Sequence, residues 1–176
     1  MPARASAQLD LPRPVGYVND FADVIPADVE ARIAAVIEEV RQKSGGEIVV
    51  VTLPSLQGRS RDEVGLQIGR EWGIGRAGEA GDTLRNTGVV VLVAMEEREY
   101  KIEVGLGANT FITASEAGRI GREQIVPAFQ QNDYGLGVLR AVTALAMEYA
   151  ERFGFEITGE IPAEARPQQG GGDGGG

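Results

Sequence analysis

The 176-residue chain contains neither histidine nor cysteine. Without histidine, the Ser-His-Asp and Cys-His catalytic arrangements, histidine-ligated zinc and an imidazole general base are all excluded. Without cysteine, the chain forms no disulfide, offers no thiol nucleophile and builds no thiolate metal site. Any chemistry must use carboxylates, hydroxyls, lysine, arginine, backbone amides or an oxygen-ligated metal, and such ligands suit Ca²⁺ and Mg²⁺.

Basic residues are also scarce, with 17 Lys and Arg against 26 Asp and Glu, which gives a formal net charge of −9. A surface of this sign repels nucleic acid and anionic lipid, so we expect neither as a partner. It repels phosphate esters as well, unless a bound cation or local basic residues intervene. The hydrophobic fraction of 43% is enough for the core of one domain, and we expect a monomer in solution.

The two ends of the chain differ in composition from its middle. Residues 1–13 are predicted to be a flexible N-terminal segment, whose Ala-Ser-Ala sequence at residues 5–7 resembles the end of a secretory signal or is simply an alanine-rich terminus. Residues 14–158 form the predicted domain, and residues 159–176 a disordered glycine-rich linker. No run reaches the ~18 to 20 apolar residues that span a bilayer, so we expect no direct lipid insertion.

Hydrophobic periodicity divides the middle of the chain into helices and strands. Apolar residues recur every three or four positions in four predicted helices, at Ala27–Lys43, Ser60–Trp72, Thr113–Gln130 and Tyr134–Phe153. Two apolar runs and one alternating segment predict three strands, at Glu47–Leu53, Thr87–Met95 and Tyr100–Gly105. A polar, glycine-rich loop is predicted at Ile74–Asn86.

The predicted order, α-β-α-β-β-α-α, indicates an α/β fold: a three-layer α/β/α sandwich with a small mixed β-sheet and helices on both faces. The two apolar strands are predicted to be parallel and joined by a right-handed helical crossover. The alternating strand is predicted to form an antiparallel hairpin with the second apolar strand. This topology decides which polar residues meet at each end of the sheet.

Three acidic residues are predicted to meet where the two parallel strands end, here called the upper end of the sheet. Asp20 and Asp23 precede the first helix, and Asp133 lies in the turn before the last one. Open α/β sheets usually bind ligands at the carboxyl ends of parallel strands, so these carboxylates are candidate metal ligands. The alternative is structural: Asp20 and Asp23 orient the start of one helix, and Asp133 caps another.

A second candidate site lies at the opposite, lower end of the sheet. It combines carboxylate, amide and hydroxyl side chains with glycines, at Asp82, Asn86, Gly105, Gly107 and Thr113. Successive backbone amides near a helix N-terminus could hold an anion there, and glycines let a ligand approach closely. The alternative is that the two glycines only form the turn that leads from the third strand to the third helix.

The order and spacing of several motifs resemble the TPM-domain family over about Pro14–Phe153. The family's opening pattern V-x-D-x-A-x-x-L is matched at residues 18–25, and its Gly-Asp-Tyr turn corresponds to Asn132-Asp133-Tyr134. Where the family carries L-T-D, this chain has Ile112-Thr113-Ala114, and the family's D-N-G becomes Asn86-Thr87-Gly88. The upper end therefore keeps the family's acidic residues, whereas the lower end lacks carboxylates that the family usually carries.

The resemblance implies an α/β/α fold and an extracytoplasmic setting, with a membrane anchor in a segment C-terminal to this chain. Calcium binding and acid phosphatase activity are ascribed to members of the family, and others assist photosystem repair or the assembly of membrane complexes. We therefore expect a calcium-binding interaction domain whose partner is a membrane protein or complex. The alternative is a metal-dependent acid phosphatase of low turnover. Neither interpretation assigns a catalytic residue, and apart from Ca²⁺ we expect no cofactor.

Overall fold

One mixed β-sheet organises the protein. The structure, a computed structural model, describes residues 8–75 and 87–159. Over these residues the sheet has four strands, side by side in the order β1 (Val18–Asp20), β2 (Glu47–Leu53), β3 (Gly88–Ala94) and β4 (Glu99–Val104). The first three are parallel, and β4 returns antiparallel to β3. The predicted parallel pair and the predicted hairpin are both confirmed, and β4 is an outer strand.

Strand β1 is an addition to the predicted elements. It has three residues and pairs in parallel with β2, opposite residues 50–52. A segment this short shows no alternation that a sequence pattern can detect. The buried side chain of Asn19 holds it in place, donating to Val50 O at 3.2 Å and to Gly16 O at 2.8 Å while accepting Val15 N at 2.7 Å.

Helices cover both faces of the sheet, as the sequence predicted. They are α1 (Ala27–Ser44), α2 (Arg61–Glu71), α3 (Ala114–Ile120), α4 (Val126–Gln130) and α5 (Tyr134–Phe153). Helices α1 and α5 pack on the face that carries Val50 and Val91, and α2 packs on the face that carries Val51 and Leu92. Because both faces are covered, β2 and β3 need apolar side chains on both sides, which explains their apolar runs.

Reciprocal side-chain caps fix where α2 and α3 begin. Ser60 Oγ accepts Glu63 N at 3.1 Å, and Glu63 Oε2 accepts Ser60 N at 3.3 Å. Thr113 and Glu116 form the same arrangement at α3. These bonds satisfy N–H groups that have no partner within the helix, so the two helices start where the sequence places a hydroxyl followed three residues later by glutamate.

The predicted third helix, Thr113–Gln130, is interrupted. A π-helical turn at Gly121–Ile125 separates α3 from α4. Pro127 has no N–H for the carbonyl four residues earlier, and its ring crowds that carbonyl, so the ladder widens by one residue ahead of it. Gly121 also lies directly against Tyr100, since a Cβ on Gly121 would overlap the tyrosine ring. The prediction of one continuous α-helix is therefore wrong.

Gly88 opens β3 at a point where another backbone segment passes close by. An added Cβ at Gly88 would lie 2.8 Å from Gly75 N and 2.9 Å from Gly75 Cα. We expect Gly88→Ala to lower the free energy of unfolding by about 1–3 kcal/mol, because backbone rather than a side-chain tip must move. In the control Gly69→Ala the new Cβ meets nothing within 4 Å, and stability should stay level or rise by up to about 1 kcal/mol. Urea unfolding measures both, and equal stabilities would contradict the close approach.

Candidate functional site

Asp20 ends β1, and its carboxylate organises the loop that leads into α1. Its Oδ1 accepts the Thr52 hydroxyl at 2.6 Å, and its Oδ2 accepts Val24 N at 3.0 Å and Ile25 N at 2.9 Å. Thr52 lies opposite Asp20 in the sheet register, and the Thr52 hydroxyl accepts Ala22 N at 3.1 Å. The first predicted ligand thus ties β1, β2 and the start of α1 together, with both carboxylate oxygens engaged.

Asp23 and Glu30 complete an acidic group at this loop. Asp23 is exposed and has a left-handed backbone, with φ of 54°. Glu30 lies one turn into α1, and the sequence analysis did not name it. Burial, and then the charges of Asp20 and Asp23, raise the pKa of Glu30. The available signal was an acidic residue in the first turn of a helix that follows an acidic loop.

Asp133 reaches the same end of the sheet from α5. Its Oδ1 accepts Leu136 N at 3.2 Å, so Asp133 caps that helix. The starts of α5 and α1 touch each other, since a Cβ on Gly135 would lie 3.0 Å from Pro26 Cδ. The topology therefore brings both helix starts that carry the predicted carboxylates to the upper end, where Asp20 and Asp133 each hold backbone N–H groups.

The turn between β3 and β4 also reaches the upper end. Arg98 donates to the Asn132 side-chain oxygen at 3.3 Å, and the Tyr134 hydroxyl donates to the same oxygen at 3.2 Å. Glu97 turns toward the loop after β2 and accepts Leu56 N at 2.9 Å. The polar side chains gathered here thus connect one loop to the next.

The carboxylates of the upper end do not form a ready cage for a cation. Among residues 8–75 and 87–159, no three acidic side chains are arranged to hold a metal ion. Asp20, Asp23 and Glu30 are close enough to interact electrostatically, but Asp20 spends both oxygens on hydrogen bonds. A cation there would depend mainly on Asp23, Glu30, backbone carbonyls and water, a ligand set that suits weak Ca²⁺ binding.

Residues of the predicted lower site build the connection from β4 to α3. Gly105 N donates to Gly88 O at 2.8 Å and continues the β3–β4 ladder. Gly107 O accepts the Thr110 hydroxyl at 2.8 Å, and Thr113 caps α3. Two other predicted residues lie outside the described part of the chain, Asp82 and Asn86. The described members thus match the structural alternative, a turn between a strand and a helix.

A groove that the sequence analysis did not find runs along the outer edge of β4. It has a volume of about 430 Å³. Its lining combines small and basic side chains, including Ala114, Ala117, Gly118, Arg61, Lys101 and Arg122. A second cavity of about 400 Å³ continues past Glu103 and Val104 toward the exposed side chains of Leu66 and Leu106. At the other two sites described above, the polar side chains hydrogen-bond mainly within or between loops. The groove differs, because basic side chains line it.

The helical layers, the parallel strands and the antiparallel outer strand define the class of this protein as an α/β/α sandwich. Three solved bacterial structures share its fold. The N-terminal domain of a P. gingivalis protein has a TM-score of 0.71 at 22% identity, covering 82% of this chain and 88% of that one. BA42 from Bizionia argentinensis has a TM-score of 0.61 at 18% identity, covering 78% and 89%. The N-terminal domain of cg2496 from Corynebacterium glutamicum has a TM-score of 0.58 at 21% identity, covering 88% and 92%.

The family model of the TPM domain matches residues 18–148, and the chain belongs to the TPM-domain family, as its motifs predicted. At these identities the solved structures share the fold alone. No curated protein matches the sequence. TPM-domain proteins are often extracytoplasmic. Across the described residues, no helix is both long enough and apolar enough to cross a membrane.

Asparagine has the same size as aspartate, but one of its two terminal atoms is an NH₂ group. At position 20 this donor would face other donors, the Thr52 hydroxyl or the N–H groups of Val24 and Ile25. We expect Asp20→Asn to lower the free energy of unfolding by about 1–3 kcal/mol, because a loop N–H loses its partner. Asp23→Asn removes the same charge from the same loop, and asparagine tolerates the left-handed backbone, so its effect should stay within about 0.5 kcal/mol. Denaturant unfolding at neutral pH compares them, and equal losses would contradict the organising role of Asp20.

Proposed function

We propose that this protein is an extracytoplasmic interaction domain, tethered to a membrane, that assists the assembly or maintenance of a membrane complex. The observation that carries the proposal is the groove along β4, because an outer strand with an accessible edge is a common docking surface for another chain. Exposed leucines border the groove, and clustered apolar side chains of this kind are typical of surfaces that a partner covers.

The acid phosphatase alternative has no residue that the geometry favours. Asp20 is the carboxylate placed at the ends of β1 and β2, and both its oxygens accept hydrogen bonds. These oxygens therefore hold the loop in place. We therefore assign no catalytic residue, and hydrolysis of phosphate esters stays a prediction from the family resemblance.

A photo-crosslinking amino acid at position 106 tests the interaction role in the native cell. Leu106 borders the groove and is 82% exposed, whereas Val15 is 77% exposed and precedes β1 at the other side of the sheet. We expect a discrete adduct with a membrane-fraction protein from position 106, and a weaker one or none from position 15. Adducts from neither position would contradict the interaction function. An adduct from position 15 alone would preserve it and exclude the groove.

We further propose that the acidic loop before α1 binds Ca²⁺ weakly. The supporting observation is the raised pKa of Glu30, which burial causes first and the charges of Asp20 and Asp23 increase. A cation beside these groups would relieve the repulsion between them. A site built partly from water and carbonyl oxygens is expected to have a Kd of about 10⁻⁴ to 10⁻³ M, which is adequate outside the cell.

Backbone amide NMR shifts followed during a Ca²⁺ titration test this site. We expect saturable shifts at residues 20–23 and around Glu30, with a midpoint of about 10⁻⁴ to 10⁻³ M. Asp23→Asn and Glu30→Gln should each weaken binding several-fold, whereas Asp10→Asn, at an exposed position outside the loop, should not. Asparagine caps a helix as well as aspartate does, so Asp133→Asn should leave α5 intact. A loss of Ca²⁺ affinity in this variant would therefore show that Asp133 ligates the ion directly. A lack of saturable shifts at millimolar Ca²⁺ would contradict the site.

A further inference from the structure

Among the described residues no strand pairs with the outer edge of β4, and the register shows which backbone groups face outward. Gly105 N donates to Gly88 O at 2.8 Å. In an antiparallel pair, residues bonded in this way alternate with residues whose N–H and C=O groups point away from the partner strand. Counting back by twos along the register, Glu103 and Lys101 also face β3. The groups that face away from the sheet belong to Tyr100, Ile102 and Val104.

Arg61 marks the outward direction independently. Its guanidinium donates to Tyr100 O at 3.1 Å and lies over the tyrosine ring, with 6.0 Å between Cζ and the ring centroid. One outward carbonyl is thus bound by a side chain that stands beside the sheet. Within the described part of the chain, no hydrogen bond satisfies the outward N–H and C=O groups of Ile102 and Val104. Their outward backbone groups remain available to another chain.

Helices α2 and α3 stand on either face of this edge and form the walls of the groove. On the α2 side, Gly65 lies against Lys101, with 3.2 Å between an added Cβ and Lys101 Cγ. On the α3 side, small side chains line the groove, at Ala114, Ala117 and Gly118. The groove has a volume of about 430 Å³, and the five residues from Tyr100 to Val104 offer a strand of roughly 16 Å.

The charge at the Tyr100 end of the groove opposes that of the whole protein. Arg61 and Arg122 are exposed, and among the described residues neither forms an ion pair with a carboxylate. Lys101, which lines the same groove, is bound to Asp62 at 2.8 Å. In a chain whose net charge is −9, two guanidinium groups that form no ion pair within the described part favour binding of a carboxylate side chain.

The other end of the groove has a different character. Glu103 lines both cavities, and the exposed side chains of Leu66 and Leu106 border the second one. Glu103 would repel an acidic residue at this end, whereas a large apolar residue would cover the leucines and remove apolar surface from water. The two ends of the groove therefore favour different residues of a bound segment: an acidic residue near Tyr100 and an apolar residue near Val104.

We propose that β4 accepts an extended segment of a partner protein as an added strand, with an acidic residue beside Arg61 and Arg122 and a large apolar residue beside Leu66 and Leu106. This inference rests on the proposed interaction function and specifies the chemistry of the partner. Backbone hydrogen bonds to the outer edge supply affinity for any extended chain, while the two ends of the groove select among sequences. A second copy of this chain is a poorer occupant, because two chains of charge −9 repel each other.

Selection of a phage-displayed random peptide library against the full chain tests the proposal. We expect recovered peptides to combine Asp or Glu with a large apolar residue about four to six positions away, the span of the groove. A synthetic copy of one such peptide should slow amide hydrogen exchange about tenfold or more at Tyr100, Ile102 and Val104. Exchange at Lys101 and Glu103 should change little, because their N–H groups already bond to β3.

Paired variants separate the charge from the backbone contribution. Arg122→Glu should weaken binding of the synthetic peptide about tenfold or more. Arg32→Glu makes the same change at an exposed position of α1 and should alter binding less than about twofold. Val104→Pro removes an outward N–H without removing a hydrogen bond to β3, so it should abolish binding in a folded protein, and Val104→Thr should keep binding.

Each contrary outcome is distinct. Recovery of no peptide, of peptides without acidic residues, or of peptides that protect amides elsewhere would overturn strand addition. An adduct from position 106 in the native cell, without protection of the β4 amides, would leave the interaction function standing and exclude an added strand. Protection of the same amides by self-association of the chain at rising concentration would identify a second copy as the occupant and overturn the acidic partner.

Discussion

Strands β2 and β3 are buried on both faces, and this double burial is the constraint on which the rest of the structure depends. Every residue of β3 is buried, and so is every residue of β2 after Glu47. Two apolar faces need two layers of helices, which α1 and α5 supply on one side and α2 on the other. A parallel pair also needs a long crossover, and α2 serves as that connection.

Thr52 is the polar exception at the end of β2, and it explains why the acidic loop has its shape. A buried hydroxyl needs a partner, and Asp20 provides one across the parallel register. The carboxylate then gathers the backbone N–H groups at the start of α1. The same loop also carries Asp23 and Glu30, and burial, followed by the charge of Asp20, raises the pKa of Glu30. The carboxylate of Asp20 therefore belongs to both the fold and the candidate calcium loop. Its hydrogen bonds within the fold leave it less available to a cation.

Local patterns were sufficient for most elements but not for those that depend on distant contacts. Apolar runs and a cap such as Ser60 locate helices and strands, and parallel topology correctly brings two helix starts to the upper end. The three-residue β1 has no period to detect. The interruption at Gly121–Ile125 has a local cause in Pro127, whereas the accompanying contact of Gly121 with the Tyr100 ring is non-local. The order of strands in the sheet also depends on distant contacts, so no local sequence pattern indicated the groove beside β4. Asp20 and Asp133 accept backbone N–H groups because short acidic side chains before helices do so readily.

The open outer edge of β4 is the central claim about this protein. Residue-by-residue amide hydrogen exchange of the free chain tests it most directly, because neighbouring residues of one strand differ only in the direction of their N–H groups. Lys101 and Glu103 are predicted to exchange slowly, through opening of the sheet, and Tyr100, Ile102 and Val104 about 100-fold faster or more. Uniform protection along β4 would show that its outer edge is already covered and would contradict the claim.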